Sequence, residues 1–527
     1  MLKTTRREPL LFAMLLLGTG LLCFWQLGSL PLIDVDEPVY GQVGREMAHS
    51  GWSGWLSPHL GGQLWFDKPP LFYWLSALSM RVFGVSALSA RLPSALLGVG
   101  LVAATSSLAA RAYPETPRAG LWAGFILATC VQFFLLARAA VTDMTLALTL
   151  TLALLGLYAW VQTGRGRWMV LAGGMTGLAA LTKGPVALVL VGVQAIGYLL
   201  LNREAKRLLS PALWAGFALC LVVSLPWYVA MVHLHGPLFI QGFLEANNVT
   251  RYLQAEHTET SNPFYFLEIF PAFFFPWTLL LPSLLLTWVR RRTLSRPALF
   301  LLLWSVLVFG FFSASQTKLV TYIFPLFPTA AILVGRWLAE KRETSASFVP
   351  LYIYAGLSLL LGLALFSAGG KAGVTLDTRV LCLSTLAAAS LLCAVFRRRQ
   401  WIWAVPGAAT ALVLLLVWCS PTWKVRETDI SERRLAEAAN AAAWPGQTIY
   451  SLGLKHPSLR FYAKNGVAVH FTEDRAAAAR DLGSGGGSLY AMRPEVLDDL
   501  RRTYGVTKYR VRARYARTVL IQALPGR

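Results

Sequence analysis

The sequence predicts an α-helical polytopic membrane protein of about thirteen transmembrane helices, followed by a small C-terminal α/β soluble domain. Three observations predict it. Of the 527 residues 56% are hydrophobic and only 14% charged, with a mean hydropathy of +0.53. A water-facing surface needs about a quarter of its residues charged, so much of this one must face lipid. Apolar runs close to the roughly 20 residues that cross a bilayer recur through the first 420 positions. Basic residues gather in every second connection between those runs. The same figures exclude disorder, collagen and coiled coil. The placement of the basic residues accounts for much of the net charge of +22 without nucleic acid as a partner.

The predicted spans lie near 9–27, 86–110, 119–137, 142–162, 168–182, 184–201, 209–232, 272–289, 297–313, 320–338, 348–368, 379–396 and 401–420. The first run is too long for a cleaved signal peptide and lacks a small-residue cleavage site. One set of connections carries Lys3, Arg6 and Arg7; Arg111 and Arg118; Arg165 and Arg167; Arg203, Lys206 and Arg207; Arg290–Arg292 and Arg296; Arg336, Lys341 and Arg342; and Arg397–Arg399. By the positive-inside rule the N-terminus is then cytoplasmic. The C-terminal stretch from about 421 then lies on the non-cytoplasmic side. The six cysteines (Cys23, Cys130, Cys220, Cys382, Cys393 and Cys419) all lie in or at the ends of apolar runs and read as buried thiols. No internal hydropathy repeat and no pair of broken helices in matching halves is visible, as a transporter often shows.

The membrane domain is expected over 1–420, with a first outer loop at 28–85 and a second at 233–271. Loops of this length suggest chemistry on the outer face. The remainder, 421–527, alternates helix and strand patterns: helices near 431–444, 457–464, 473–482 and 494–504, and strands at 448–454, 467–471, 488–492 and within 507–524. The glycine run 483–487 follows a helix rather than a strand, so it reads as a loop and not as a phosphate cradle.

In the first outer loop, Asp34-Val35-Asp36-Glu37-Pro38-Val39-Tyr40 opens a short helix. Asp36 is a good N-cap and Pro38 suits the first turn. Val39, Val43 and Met47 form a stripe at spacing four, predicting an amphipathic helix in the membrane interface. Asp36 can be a cap alone or also a catalytic carboxylate, and the two roles are compatible. Further on, Asp67-Lys68 sits among aromatic residues before Pro69-Pro70. That pair fits an interfacial anchor as well as a binding site. Arg138, Asp143, Lys183, Lys318 and Tyr322 interrupt apolar sequence on the same predicted face. A charge near hydrocarbon costs roughly 3 kcal/mol on insertion scales. Each lysine could snorkel to the headgroups, but several on one face suggest a shared polar cavity.

These residues carry a resemblance. Asp36-Glu37 with Tyr40, Arg45-Glu46-Met47, Pro58, Gly61 or Gly62, Phe66-Asp67-Lys68-Pro69-Pro70 with Tyr73-Trp74, and Arg91-Leu92-Pro93 come first. Thr142-Asp143, Thr182-Lys183-Gly184, Phe275-Pro276-Trp277, Lys318-Leu319 and Thr321-Tyr322 follow in order. The chain resembles the bacterial polyprenyl-phosphate-dependent glycosyltransferases of the GT-C type. Among them it is most similar to the lipid A aminoarabinose transferases, within the protein O-mannosyltransferase superfamily. The resemblance implies thirteen transmembrane helices, two interfacial helices in the first outer loop and a soluble periplasmic domain. It also implies a sugar donor on a polyprenyl phosphate, inversion at the anomeric carbon, and a glycolipid or protein acceptor.

If the acceptor is a hydroxyl, a carboxylate must remove its proton, and Asp36 is the expected base, with Glu37 and Asp143 as further catalytic carboxylates. Lys68, Lys183 and Lys318 would hold the donor phosphate, helped by Tyr40, Tyr73 and Tyr322. Two positions depart from the aminoarabinose transferases: Val39 stands where they carry arginine, and Asp67 where they carry glutamate. No cofactor is required; a divalent metal on Asp67 and His257 is an open alternative. The partners expected are the bilayer, the lipid-linked donor and the acceptor, with the protein a monomer. A protein O-mannosyltransferase is the alternative enzyme. A transporter of polyprenol-linked substrates is the alternative outside catalysis, and a scaffold would leave the polar residues unexplained.

Overall fold

The computed structural model describes residues 7–524, apart from 117, 255–261, 292–293, 341–348, 369, 371–373, 397–399, 422–429, 445, 455, 465, 486 and 516. The chain divides into two compact units. One comprises residues 1–25, 66–72 and 91–420, the other 26–65, 73–90 and 421–527.

The first unit is helical. Helices occupy every predicted span, but not all as single straight rods. Among the described residues seven helices are long and apolar enough to cross a membrane, or up to nine if each of two bent pairs counts as one span. The predicted thirteen exceeds this count. Arg7–Phe24, Arg167–Lys183, Val186–Leu201 and Phe327–Glu340 are shorter helices.

Two helix pairs are sharply bent at a short break, which hydropathy alone does not report. Ala119–Ala128 and Val131–Ala137 meet at 67°. Between them Cys130 is extended, and the Thr129 hydroxyl donates back to Phe125 O at 2.7 Å while accepting Trp277 Nε1 at 3.0 Å. Tyr265–Phe273 and Trp277–Arg290 meet at 105°, with Pro276, which has no N–H to continue a helix, between them. The predicted span 320–338 is corrected. Residues 315–323 are not α-helical, a 3₁₀ turn runs Phe324–Leu326, and the helix begins at Phe327.

Glycine explains the weak hydropathy of Arg167–Lys183. A Cβ at Gly173 would lie 1.9 Å from Gly216 O, and one at Gly177 would lie 2.8 Å from Cys220 O. Small residues four apart let this helix and Pro211–His235 approach backbone to backbone, where association in lipid depends on close packing.

Arg138 was expected in a polar cavity, but the structure gives it another task. It is 0% exposed, and its guanidinium donates to Leu22 O, Cys23 O and Trp25 O at 2.5, 3.2 and 2.6 Å. It thus satisfies carbonyls at the C-terminal end of the first helix, which have no intrahelical donor. Its charge also sits over the Trp418 ring at 4.5 Å.

In the second unit the outer-loop helix Asp36–His49 begins at Asp36, with Val35 as N-cap and no side-chain cap. Asp36 is therefore the first helical residue and not the cap. The predicted stripe is present, with Val43 and Met47 0 and 1% exposed. It is buried against protein, not laid in lipid: the helix packs on Ser458–Tyr462, and Gly44 meets Ser76. Strands β1 (His59–Leu60) and β2 (Gln63–Leu64) form a hairpin whose turn residues Gly61 and Gly62 have φ of +65° and +78°. Such a turn needs positive φ at both central positions. Glu46 accepts both their N–H groups, at 2.7 and 3.1 Å.

The C-terminal residues form a five-stranded sheet in the order β4-β3-β5-β7-β6. Its strands are β3 (Thr448–Leu452), β4 (Ala468–Thr472), β5 (Leu489–Met492), β6 (Tyr509–Arg514) and β7 (Val519–Ala523). β3 pairs parallel with β4 and β5, and β7 antiparallel with β5 and β6. Along β5, Leu489 and Ala491 face one core while Tyr490 and Met492 face the other, as period-2 alternation requires. The first core is completed by residues of Arg433–Ala442 and Ser458–Tyr462, the second by residues of Arg475–Ser484 and Pro494–Tyr504. The glycine run ends the helix Arg475–Ser484, with Gly485 left-handed. The six cysteines are free, five buried and Cys419 half-buried.

Candidate active site

Within the first unit a cavity of about 420 Å³ is lined by Asp67, Lys68, Lys183, Arg251 and Tyr322, together with apolar residues such as Val186, Leu244 and Phe312. Each charge is placed by a local cause. Asp67 and Lys68 follow Phe66, whose ring is held by His235 and Phe239 at 5.4 and 5.3 Å. Pro69 and Pro70 then restrict the backbone before the next helix. Lys183 is the last residue of its helix, where a cation is favoured by the helix dipole. Asp143 is the first residue of Asp143–Thr163, where an anion is favoured.

The ion pairs organise these charges. Lys68 Nζ lies 2.8 Å from Asp67 Oδ1, and Arg251 Nη1 lies 3.5 Å from the same oxygen. Lys183 Nζ lies 2.8 Å from Asp143 Oδ1 and 4.8 Å from the Tyr322 ring centroid. Three cations against two carboxylates leave one net positive charge. Burial pushes the Lys68 ammonium below its ordinary pKa; Asp67 opposes this, and Arg251 and Lys183 add to the lowering. An anion between these cations would relieve their repulsion.

The second outer loop supplies part of the lining. Ile240–Thr250 is a π-helix, a wide turn often found at functional sites. Asn247 donates to Gly242 O at 2.8 Å and Asn248 to Phe243 O at 2.6 Å, and both side chains line the cavity. Arg251, Tyr252 and the two asparagines were not singled out from sequence. The Asn-Asn-Val-Thr-Arg run after an apolar stretch was the available signal.

Not every candidate converges. Lys318 is 1% exposed, its ammonium donates to Ser315 O at 2.5 Å, and it is absent from the cavity lining. Asp143 also stands behind the lining, as the partner of Lys183. In the second unit, Asp36 is exposed, and Glu37 is 5% exposed with Oε2 accepting Ile33 N at 2.9 Å. Tyr40 and Tyr73 pack ring on ring at 5.8 Å between centroids. His257 lies outside the described residues. Asp67 Oδ1, shared by an ammonium and a guanidinium, does not fit a divalent cation. Among the described residues no three His, Cys, Asp or Glu side chains gather as metal ligands.

The chain is similar to known proteins along most of its length. The family described as dolichyl-phosphate-mannose-protein mannosyltransferase matches residues 67–229. The undecaprenyl phosphate-α-4-amino-4-deoxy-L-arabinose arabinosyl transferase 1 of Pseudomonas fluorescens is 30% identical over 424 residues, 78% of this chain and 76% of that protein. The corresponding transferase of Pseudomonas aeruginosa is 31% identical over 424 residues, 77% of this chain and 75% of that one. The crystal structure of ArnT from Cupriavidus metallidurans bound to undecaprenyl phosphate superposes with a TM-score of 0.80 at 24% identity, covering 98% of this chain and 99% of that one. The fold is shared along nearly the whole length. The chain belongs to the family of undecaprenyl phosphate-α-4-amino-4-deoxy-L-arabinose arabinosyl transferases and is a multi-pass membrane glycosyltransferase.

Proposed function

We propose that the protein transfers 4-amino-4-deoxy-L-arabinose from undecaprenyl phosphate to a lipid A-type glycolipid at the outer face of the bacterial inner membrane. The observation that carries this reading is the cavity in which Lys68, Lys183 and Arg251 converge among apolar residues. Its single net positive charge matches a phosphodiester, and its apolar lining suits a polyprenyl chain. The names of the relatives support the sugar and the carrier.

An acceptor oxygen attacks the anomeric carbon from the face opposite the phosphate, so the configuration inverts. The bond from that carbon to the phosphate oxygen breaks, and its electron pair leaves with undecaprenyl phosphate. The growing negative charge is met by the Lys68, Lys183 and Arg251 cations. Arg251 supplies a guanidinium in a chain with Val39 where the resembled transferases carry arginine. Where the attacking oxygen is a hydroxyl, Asp36, at the first turn of its helix, takes its proton. Asp143 holds Lys183, and Glu37 holds the backbone at Ile33, so neither is assigned a proton transfer. No step passes through a metal. The N-terminus is cytoplasmic and the α/β domain periplasmic, on the basis of the alternating basic connections.

A mannose donor and a protein acceptor form the second reading, favoured by the mannosyltransferase family match over 67–229. Supplying the purified enzyme with each lipid-linked sugar and each acceptor separates the two. Transfer of aminoarabinose to lipid A supports the first reading; transfer of mannose to a peptide hydroxyl, with none to lipid A, overturns it.

A further inference from the structure

The entry to the helix that carries Asp36 has no side-chain cap, so something else must fix it. Asp34, two residues earlier, is tied to the α/β domain on three sides. Its N–H donates to Ile430 O at 2.9 Å. Its Oδ1 accepts the Ser458 N–H at 2.9 Å and its Oδ2 the Ser458 hydroxyl at 2.5 Å. The same hydroxyl accepts Glu432 N–H at 2.8 Å. His456 Nδ1 lies 3.2 Å from Glu432 Oε1 and 3.8 Å from Asp34 Oδ2. Glu432 Oε2 accepts Thr518 Oγ1 at 3.3 Å.

Glu432 and Ser458 are buried, 2% and 0% exposed, and the Asp34 side chain is 9% exposed, while the His456 ring reaches the surface at 33%. Further bonds bracket Asp36 in sequence. Leu32 N–H donates to Tyr462 OH at 2.8 Å, and Arg45 Nη1 donates to Phe461 O at 2.7 Å.

Two buried carboxylates this close repel unless a cation stands between them. The imidazole of His456 is in that position, and Arg493 is the other charge that acts on it. We propose that Asp34, Ser458, Glu432 and His456 form a protonation-dependent latch by which the α/β domain positions Asp36, making Asp34 and His456 positioning residues for sugar transfer. The proposal rests on the reading of Asp36 as the base.

The direction follows from the contacts. The hydrogen bond to Glu432, then the charges of Asp34 and Glu432, raise the His456 pKa above 6.5 against desolvation and Arg493, which lower it. The latch is therefore complete below pH 6.5 and is lost as pH rises through the higher value reached in the folded protein. Burial likewise raises the Asp34 pKa, opposed by the Ser458 hydrogen bonds and His456, with Glu432 adding to the rise. That proton also leaves the cluster as pH rises.

The test uses the full-length enzyme in lipid nanodiscs. His456→Gln keeps a polar side chain but cannot become a cation. Turnover should fall by roughly ten- to a hundredfold at pH about 6, the loss expected when a reacting group is misplaced by about 1 Å. The KM for the donor should stay unchanged. The difference from the parent should close as pH rises, because the parent loses its imidazolium there. Asp34→Asn should lower turnover at every pH, and Asp34→Glu should restore part of it.

Hydrogen exchange of peptides spanning 32–43 and 457–462 reports the latch without reference to catalysis. Protection should drop in His456→Gln at the lower pH and should fall with pH in the parent. Unchanged protection in His456→Gln, or a parent-like pH profile of turnover, overturns the latch. Changed protection together with full transfer by Asp36→Asn leaves the latch standing and removes Asp36 as base.

Discussion

Replacing Lys68 by alanine tests the phosphate site at its most constrained cation. The ammonium is largely buried, with its side chain 12% exposed, and its ion-pair partner is Asp67 at 2.8 Å. The substitution removes one of three cations, leaves Asp67 facing Arg251 alone at 3.5 Å, and takes the net charge of the group from +1 to zero. A hydrogen bond to a charged group is worth about 1.5–3 kcal/mol, so undecaprenyl phosphate should bind roughly 10- to 150-fold more weakly. Lys68→Arg should recover part of this, since it restores the charge but not the geometry. The assay is direct binding of undecaprenyl phosphate to purified parent and variants in nanodiscs, repeated without any acceptor. If Lys68→Ala binds as tightly as the parent, Lys68 is a membrane-interface anchor and the phosphate lies elsewhere.

Four further outcomes follow from the same structure. Asp36→Asn should abolish transfer while donor binding stays within about twofold, since a base acts on the acceptor proton; parent-rate transfer would remove its role. Donor binding should weaken as pH rises through the lowered pKa of Lys68, because the neutral amine cannot hold an anion, and Lys68→Arg should flatten the profile; a flat profile in the parent, or an alkaline loss that persists in Lys68→Arg, would contradict this. Gly173→Ala should lower stability by about 1–3 kcal/mol, because its Cβ must displace Gly216 O, 1.9 Å away; unchanged thermal unfolding would refute the close approach. A cysteine at exposed Ser484 should react with an impermeant thiol reagent from the periplasmic side; labelling only after the inner membrane is opened would invert the topology.

The α/β elements were legible because each strand and helix carries its own period. The predicted strand at 467–471 is found as Ala468–Thr472, and the predicted helix at 494–504 as Pro494–Tyr504. Membrane helices were legible as apolar runs, but hydropathy does not report bends. The break at Thr129–Cys130 contains neither proline nor glycine, and it is shaped by a tertiary bond from Trp277. The buried face of Asp36–His49 was read from spacing, while its neighbour was misjudged, because a stripe of valine and methionine looks the same against lipid or protein. In the site, Lys68 and Lys183 stood out as charges in apolar sequence. Lys318 stood out equally, and only the bond to Ser315 O and its absence from the cavity lining set it apart. Arg251 was hidden in a loop where an arginine needs no explanation.

Parent enzyme, Lys68→Ala and Asp36→Asn, each supplied with undecaprenyl phosphate-linked aminoarabinose and lipid A, test the central claim most directly. Modified lipid A and released undecaprenyl phosphate are both quantified by mass spectrometry. The two should appear in equal amounts with the parent, slow together in Lys68→Ala, and vanish in Asp36→Asn. No transfer by the parent, or equal rates in all three, would contradict the account.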